Sequence, residues 1–132
     1  MSKFNEFRST ILVVEDDPTS LILLEKFLKH NDIKVLKAQN GQQALEQVKN
    51  NDNISIVLMD IKMPGIDGNE ATRKIKEINE NIFVIAQTAY VSRKDKKAAI
   101  EAGCDDFIEK PIRREILFEI IKKFQKELDQ GL

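Results

Sequence analysis

At 132 residues with 42% hydrophobic side chains, the chain is sized for one domain with a real core, and a second domain would not fit. Its 21 basic and 22 acidic side chains give a formal charge of −1, so no global field recruits nucleic acid or an anionic membrane, and any partner must be recognised locally. The lone Cys104 excludes an internal disulfide and a thiolate metal site, and neither the polar leader MSKFNEFRS nor any later run is apolar enough for export or membrane insertion, so a cytoplasmic location is expected.

After the leader comes Ile11-Leu12-Val13-Val14, the first of five short apolar runs. Leu21, Leu24 and Leu28 then share one face of a first helix, with Asp17 as its N-cap and Pro18 at its first position. Val35-Leu36 is a second strand, 41–50 a second helix, Ile56-Val57-Leu58-Met59 a third strand and 67–78 a third helix. Phe83-Val84-Ile85-Ala86 follows, and then a helix over 94–102 that offers only Ala98, Ala99 and Ala102 to the core and should be the element freest to shift. Phe107-Ile108 is the fifth strand, and the last helix is expected to bury Ile112, Ile116, Ile120, Phe124 and Leu128, spaced three to four apart.

Most of the runs are apolar at successive positions, as in parallel strands covered on both faces. Five β/α units make an open doubly wound sheet, because a closed (β/α)8 barrel takes roughly 250 residues. In such sheets the functional crevice lies past the carboxyl ends of the strands. The residues there are Glu15-Asp16-Asp17, Asp60, Thr88 and Lys110. Carboxylates gathered this closely repel one another, and protonation or a bound cation relieves the repulsion. Hard oxygen ligands select Mg2+ or a similar ion, which takes one or two carboxylates plus phosphate oxygens. Lys110 adds a positive charge for a transferred anionic group, and Thr88 adds a hydroxyl.

The segments ILVVEDDP at 11–18, VLMDIKMPGIDG at 57–68, Thr88-Ala89 and FIEKPI at 107–112 together resemble the receiver domain of two-component response regulators. The resemblance covers 10–128, leaving 1–9 as a leader and 129–132 as a tail. It implies a flavodoxin-like five-stranded parallel sheet in the order 2-1-3-4-5 with five helices. It further implies that Asp60 accepts a phosphoryl group from a histidine kinase or histidine phosphotransfer protein, so that the domain catalyses its own phosphorylation and dephosphorylation without being a dedicated enzyme. Mg2+ or Mn2+ would be held by Glu15, Asp16, Asp60 and the Lys62 carbonyl, with Lys110 on the phosphoryl oxygens and Lys110-Pro111 a cis peptide. Thr88 and Phe107 would form a switch pair that re-shapes the face of the fourth helix, fifth strand and fifth helix, where an output domain or a second copy could dock. Lys62 and Tyr90 occupy positions that tune acyl phosphate hydrolysis. The partner would dock on Pro18, Leu21 and Ile112. Glu15 stands where aspartate is commoner, so it is expected to act through water, and Phe107 stands where tyrosine is frequent.

Other residues have plainer readings. Asp17 is a cap, His30 a partner for the first helix's dipole, Cys104 the filler of a small buried space, and Arg93, Lys94, Lys96 and Lys97 a solvated helix face without aromatic residues for base stacking. Three rival functions remain on the table. An aspartate-nucleophile phosphatase of the haloacid dehalogenase type carries a second acid two residues on, where this chain has Lys62. A flavodoxin-like carrier needs a hydroxyl-rich phosphate loop where Glu15-Asp16-Asp17 stand. A phosphorylation-independent binding module would be expected to lose the acceptor or the metal acids, and both are present. The chain stops soon after its last helix, so it is expected to be a stand-alone receiver or a piece of a larger regulator or hybrid kinase.

Overall fold

The computed structural model describes residues 10–29, 33–62, 65, 67–89 and 92–130; the leader 1–9, His30 and Tyr90 fall outside the described residues. Strands and helices alternate: β1 (Thr10–Val14), α1 (Pro18–Lys29), β2 (Lys34–Ala38), α2 (Gly41–Asn50), β3 (Ile54–Asp60), α3 (Gly68–Ile78), β4 (Phe83–Thr88), α4 (Arg93–Ala102), β5 (Asp106–Glu109) and α5 (Arg114–Gln130). The strands form one parallel sheet in the order β2-β1-β3-β4-β5, as expected. The last helix runs on to Gln130, past the expected end of the domain at 128.

The pleat divides the apolar strand residues between two cores. Leu12, Val14, Val57, Met59 and Val84 meet Ala44, Leu45 and Val48 of α2 and Ala71 and Ile75 of α3. Ile11, Val13, Ile56, Leu58 and Ile85 meet Leu21, Leu24 and Leu28 of α1 and Leu117, Ile121 and Phe124 of α5. Central β1 is buried along its whole length, whereas β2 exposes Lys34 and Lys37 at the sheet edge, a charge pattern that discourages pairing with another chain.

Two expectations need correction. The buried stripe of α5 is Leu117, Ile121 and Phe124, one residue round from the Ile116 and Ile120 series, and Ile116 is exposed. Ile112 precedes the helix. On α1, Leu21 turns into the core beside Leu24 and Leu28, so its side chain is not available to a partner, and Ile22 and Leu23 are the exposed apolar residues instead.

Helix starts follow the sequence signals. Asp17 accepts hydrogen bonds from the Ser20 amide and hydroxyl, Asp67 accepts from the Glu70 amide, and Ser92 accepts from the Asp95 amide. Asp17 is thereby held below the usual carboxylate range, chiefly by the Ser20 hydroxyl. Gly68 opens α3 flush against the end of β3, where a Cβ would overlap the Asp60 carbonyl oxygen and the Ile61 backbone. At the other end of the sheet, Gly103 closes α4 at φ 111°, a left-handed geometry that other residues adopt at a cost.

Candidate functional site

The carboxyl ends of β1, β3, β4 and β5 bring the chemistry-bearing residues to one crevice. Glu15 follows β1 and is tied to β2 by its amide, which donates to the Ala38 carbonyl at 3.0 Å. Asp60 is the last residue of β3 and pairs with Gln87, while Thr88 ends β4 opposite Glu109. The Lys110 amide donates to the Thr88 carbonyl at 2.8 Å, so the backbone delivers this lysine to the site. The Lys110-Pro111 bond is cis.

Glu15 and Asp60 are buried, with 1% and 3% of their surface exposed, and Asp16 is exposed. Lys110 Nζ lies 2.8 Å from Glu15 Oε1 and 3.3 Å from Asp60 Oδ2, one cation between two carboxylates. The Lys62 amide donates to Asp60 Oδ1 at 3.1 Å, and the Asp17 amide donates to Glu15 Oε2 at 3.2 Å. Burial first, and then the Glu15 charge, push the Asp60 carboxyl up to about 7, outweighing the opposite pull of Lys110. Lys110 itself is raised, its two carboxylate partners outweighing the effect of burial.

Glu15, Asp16 and Asp60 each offer a carboxylate oxygen, and the three lie within 4.8 Å of one another. One lysine cannot balance three carboxylates, and burial together with the Glu15 charge leaves Asp60 poorly stabilised in its ionised form. A hard divalent cation fits this donor set on both charge and chemistry. The Ile61 carbonyl already accepts the Gly68 amide at 3.1 Å, which leaves the Lys62 carbonyl as the next backbone oxygen after Asp60.

Thr88 is buried beside this cluster. Phe107, on β5, is half-buried with Lys96 Nζ 5.7 Å from its ring centroid. The ring borders an open groove of about 580 Å3 between α4 and α5, lined also by Lys96, Glu109, Arg113 and Ile116. A smaller cavity of about 90 Å3, between α1 and the turn before α5, is lined by Glu15, Ser20, Leu23, Gln87, Lys110 and Ile112. Ile112 lines this cavity and Pro18 is exposed at the start of α1, while Tyr90 is not among the described residues.

One buried polar residue in this region was not singled out from the sequence. Gln87 is fully buried, and its Nε2 donates to the Val14 and Leu58 carbonyls at 3.1 Å and 3.2 Å. The available signal was a polar residue closing the apolar run FVIAQT, just before the threonine.

No helix among the described residues is long and apolar enough to cross a membrane. A family model for the response regulator receiver domain matches residues 11–122. The chain is 38% identical over 108 residues to a cyclic di-GMP phosphodiesterase of Thermotoga maritima, covering 82% of this chain and 28% of that protein. It spans smaller shares still, 13% and 7%, of sensor and hybrid histidine kinases that it also matches. Among solved structures it is similar to a CheY-like response regulator receiver domain protein from Methanospirillum hungatei JF-1, with a TM-score of 0.89 at 27% identity over 94% of this chain and 98% of that one. It is also similar to a chain of the co-crystal structure of the Saccharomyces cerevisiae histidine phosphotransfer protein Ypd1 with the receiver domain of Ssk1, with a TM-score of 0.83 at 27% identity over 89% and 88% of the two chains.

Proposed function

The chain belongs to the response regulator receiver domain family of two-component systems, and on that footing we propose that Asp60 accepts a phosphoryl group from a phosphohistidine on a partner protein. The observation that carries this reading is the convergence on Asp60 of Lys110, Glu15 and Asp16 from separate strand ends. An Asp60 carboxylate oxygen attacks phosphorus, the bond from phosphorus to the donor imidazole nitrogen breaks, and the imidazole leaves with a proton. Hydrolysis of the acyl phosphate by water restores the carboxylate.

Each residue has a part that its position supports. The Lys62 amide fixes the Asp60 carboxylate rotamer. Lys110, already 3.3 Å from that carboxylate, turns to the incoming oxygens and offsets their charge. Thr88 offers its hydroxyl to the same group from the end of β4, and vacated space beside it admits the Phe107 ring, re-shaping the α4-β5-α5 face for an output domain or a second copy. Glu15, Asp16, Asp60 and the Lys62 carbonyl would hold Mg2+ or Mn2+, which when bound supplies further charge stabilisation to the phosphoryl oxygens. A cation at these carboxylates also favours ionised Asp60, the nucleophilic form, over the proton that burial favours. Lys62 and Tyr90 follow the acceptor and Thr88 and would set how fast water reaches the acyl phosphate.

The phosphodonor is a histidine kinase or a histidine phosphotransfer protein that docks on Pro18, Leu23 and Ile112, beside the crevice. A cytoplasmic setting, where such donors present their histidine, accompanies this reading. Incubation with phosphoramidate and Mg2+, followed by intact mass, should add one phosphoryl group to the wild type and none to Asp60→Asn. Equal labelling of the variant would place the acceptor elsewhere.

A further inference from the structure

We propose that Gln87 is a positioning residue for the acidic site: its side-chain amide ties together the strand ends that carry Glu15, Asp60 and Thr88, and thereby sets the affinity for a divalent cation. The inference rests on reading the site as a metal-assisted phosphoryl acceptor and adds to it a residue that touches neither the metal nor the phosphoryl group.

The tie is visible in the hydrogen bonds. Gln87 Nε2 donates to the carbonyl of Val14, the residue before Glu15, at 3.1 Å, and to that of Leu58, two residues before Asp60, at 3.2 Å. The Gln87 backbone pairs with Asp60, its own carbonyl accepts the Ile61 amide at 3.1 Å, and the next residue is Thr88. One residue thus links β1, β3 and β4 where each delivers a functional side chain. A carbonyl oxygen has two lone pairs, so these bonds can be added without giving up a rung of the sheet.

A load acts on this tie. Glu15, Asp16 and Asp60 crowd together, and whatever repulsion Lys110 does not offset acts to separate the ends of β1 and β3 just where the ladder finishes. A fully buried link from a third strand opposes that separation. Packing alone does not account for the choice of side chain, because among the described residues nothing hydrogen-bonds to Gln87 Oε1, a buried acceptor whose desolvation is not repaid. The preceding Ile85 and Ala86 show that apolar side chains fill this strand well. Glutamine is explained by what its two donors hold.

The test compares wild type with Gln87→Met, which keeps the length, deletes both donors and also removes the unpaired acceptor. Mn2+ binding, followed by the paramagnetic resonance of the free ion, should weaken by about tenfold, the lower range for residues that orient metal ligands. The Mg2+ concentration giving half-maximal labelling by phosphoramidate should rise by the same factor, with the rate at saturating Mg2+ near that of wild type. In metal-free protein, hydrogen exchange at the Glu15 and Ile61 amides should accelerate. Gln87→Asn, too short to reach both carbonyls, should shift Mn2+ binding in the same direction and serves if the methionine variant does not fold. Ile85→Val trims the same face of β4 and should leave Mn2+ affinity unchanged. Wild-type Mn2+ affinity in the Gln87 variants, or an equal shift in Ile85→Val, would overturn the proposal. If wild type itself is not labelled on Asp60, the phosphoryl reading fails instead, and the Mn2+ titration still decides whether Gln87 holds the site.

Discussion

The two helices that flank β5 are anchored very differently. α5 sinks Leu117, Ile121 and Phe124 into the core shared with α1, and the Phe124 ring stacks on Phe83 at a centroid distance of 4.5 Å. α4 buries only Ala99 and Ala102, leaves Ile100 exposed, and ends at a glycine. Burial of methylene groups scales with apolar area, so displacing α5 requires giving up several large side chains, whereas α4 holds on by methyl groups and its caps. The same side of the sheet as α5 carries Glu15, Asp60 and Gln87, so the charged site stands on the firmly packed side of the sheet. The proposed switch would draw on that division between the two helices, because a population shift triggered by one phosphoryl group supplies only a few kcal/mol.

The sharpest way to break this contrast is to trim both helices. Leu117→Ala should lower unfolding free energy by about 3 kcal/mol, and Ala99→Gly by about 1 kcal/mol, in urea titrations of the metal-free protein. Equal losses would mean that α4 is as firmly seated as α5. Next in size is a pH effect on the firm side. Folding raises the Asp60 carboxyl to about 7, so the metal-free native state keeps a proton that the unfolded chain releases near its ordinary value of 3.8. More protons on the native state mean that stability falls as pH climbs between those two values and stops falling above the upper one. The loss should be on the order of 2 kcal/mol after allowance for solvent screening, and Asp60→Asn should flatten the slope. A wild-type slope that persists in the variant would assign it to another group.

Smaller effects are expected around α4. Gly103→Ala should cost about 1 kcal/mol, since φ is 111° and the new methyl would stand 3.2 Å from Lys76 Cγ. Lys76 has little freedom to yield, because its ammonium is held by the Ile82 carbonyl at 2.7 Å and by Asp105 at 2.8 Å. Least in energy but most direct as a probe of motion is Cys104, just beyond α4. Burial, with the nearby Asp105 and Asp106, pushes its thiol up to about 11. Alkylation by iodoacetamide should therefore run tenfold or more below an exposed thiol, whose ordinary value is about 8.5. Phosphorylation should speed it up if α4 moves.

The strands, their parallel sense and the acidic crevice were legible because the runs are apolar at successive positions and because Asp60, Lys110 and Glu15 each follow one of them, whereas the strand order came from the resemblance. Less legible was which side of a helix faces inward. In α5, Ile116, Leu117, Phe118, Ile120 and Ile121 are all apolar, so two stripes one residue apart share the same spacing, and only contact with the sheet selects Leu117 and Ile121. Leu21 was given two roles that cannot both hold: its spacing with Leu24 and Leu28 put it on one helix face, which proves to be the buried one, while the docking role expected of it would need it exposed. Gln87 stood out only as a polar residue closing an apolar run, and its role was not legible because its bonds join residues 73 and 29 positions away in sequence. Glu15 was expected at the metal through water, and its ion pair with Lys110 could not be read from either residue alone.

Gly68 has a consequence for anyone who edits this protein. The backbone of α3 touches the carbonyl of the aspartate eight positions before it with no room for a single extra carbon, so the start of the helix and the end of β3 are locked in direct contact. Any side chain at that position would push directly on the main chain that carries Asp60, and a library randomised at codon 68 and selected for labelling of Asp60 should return glycine.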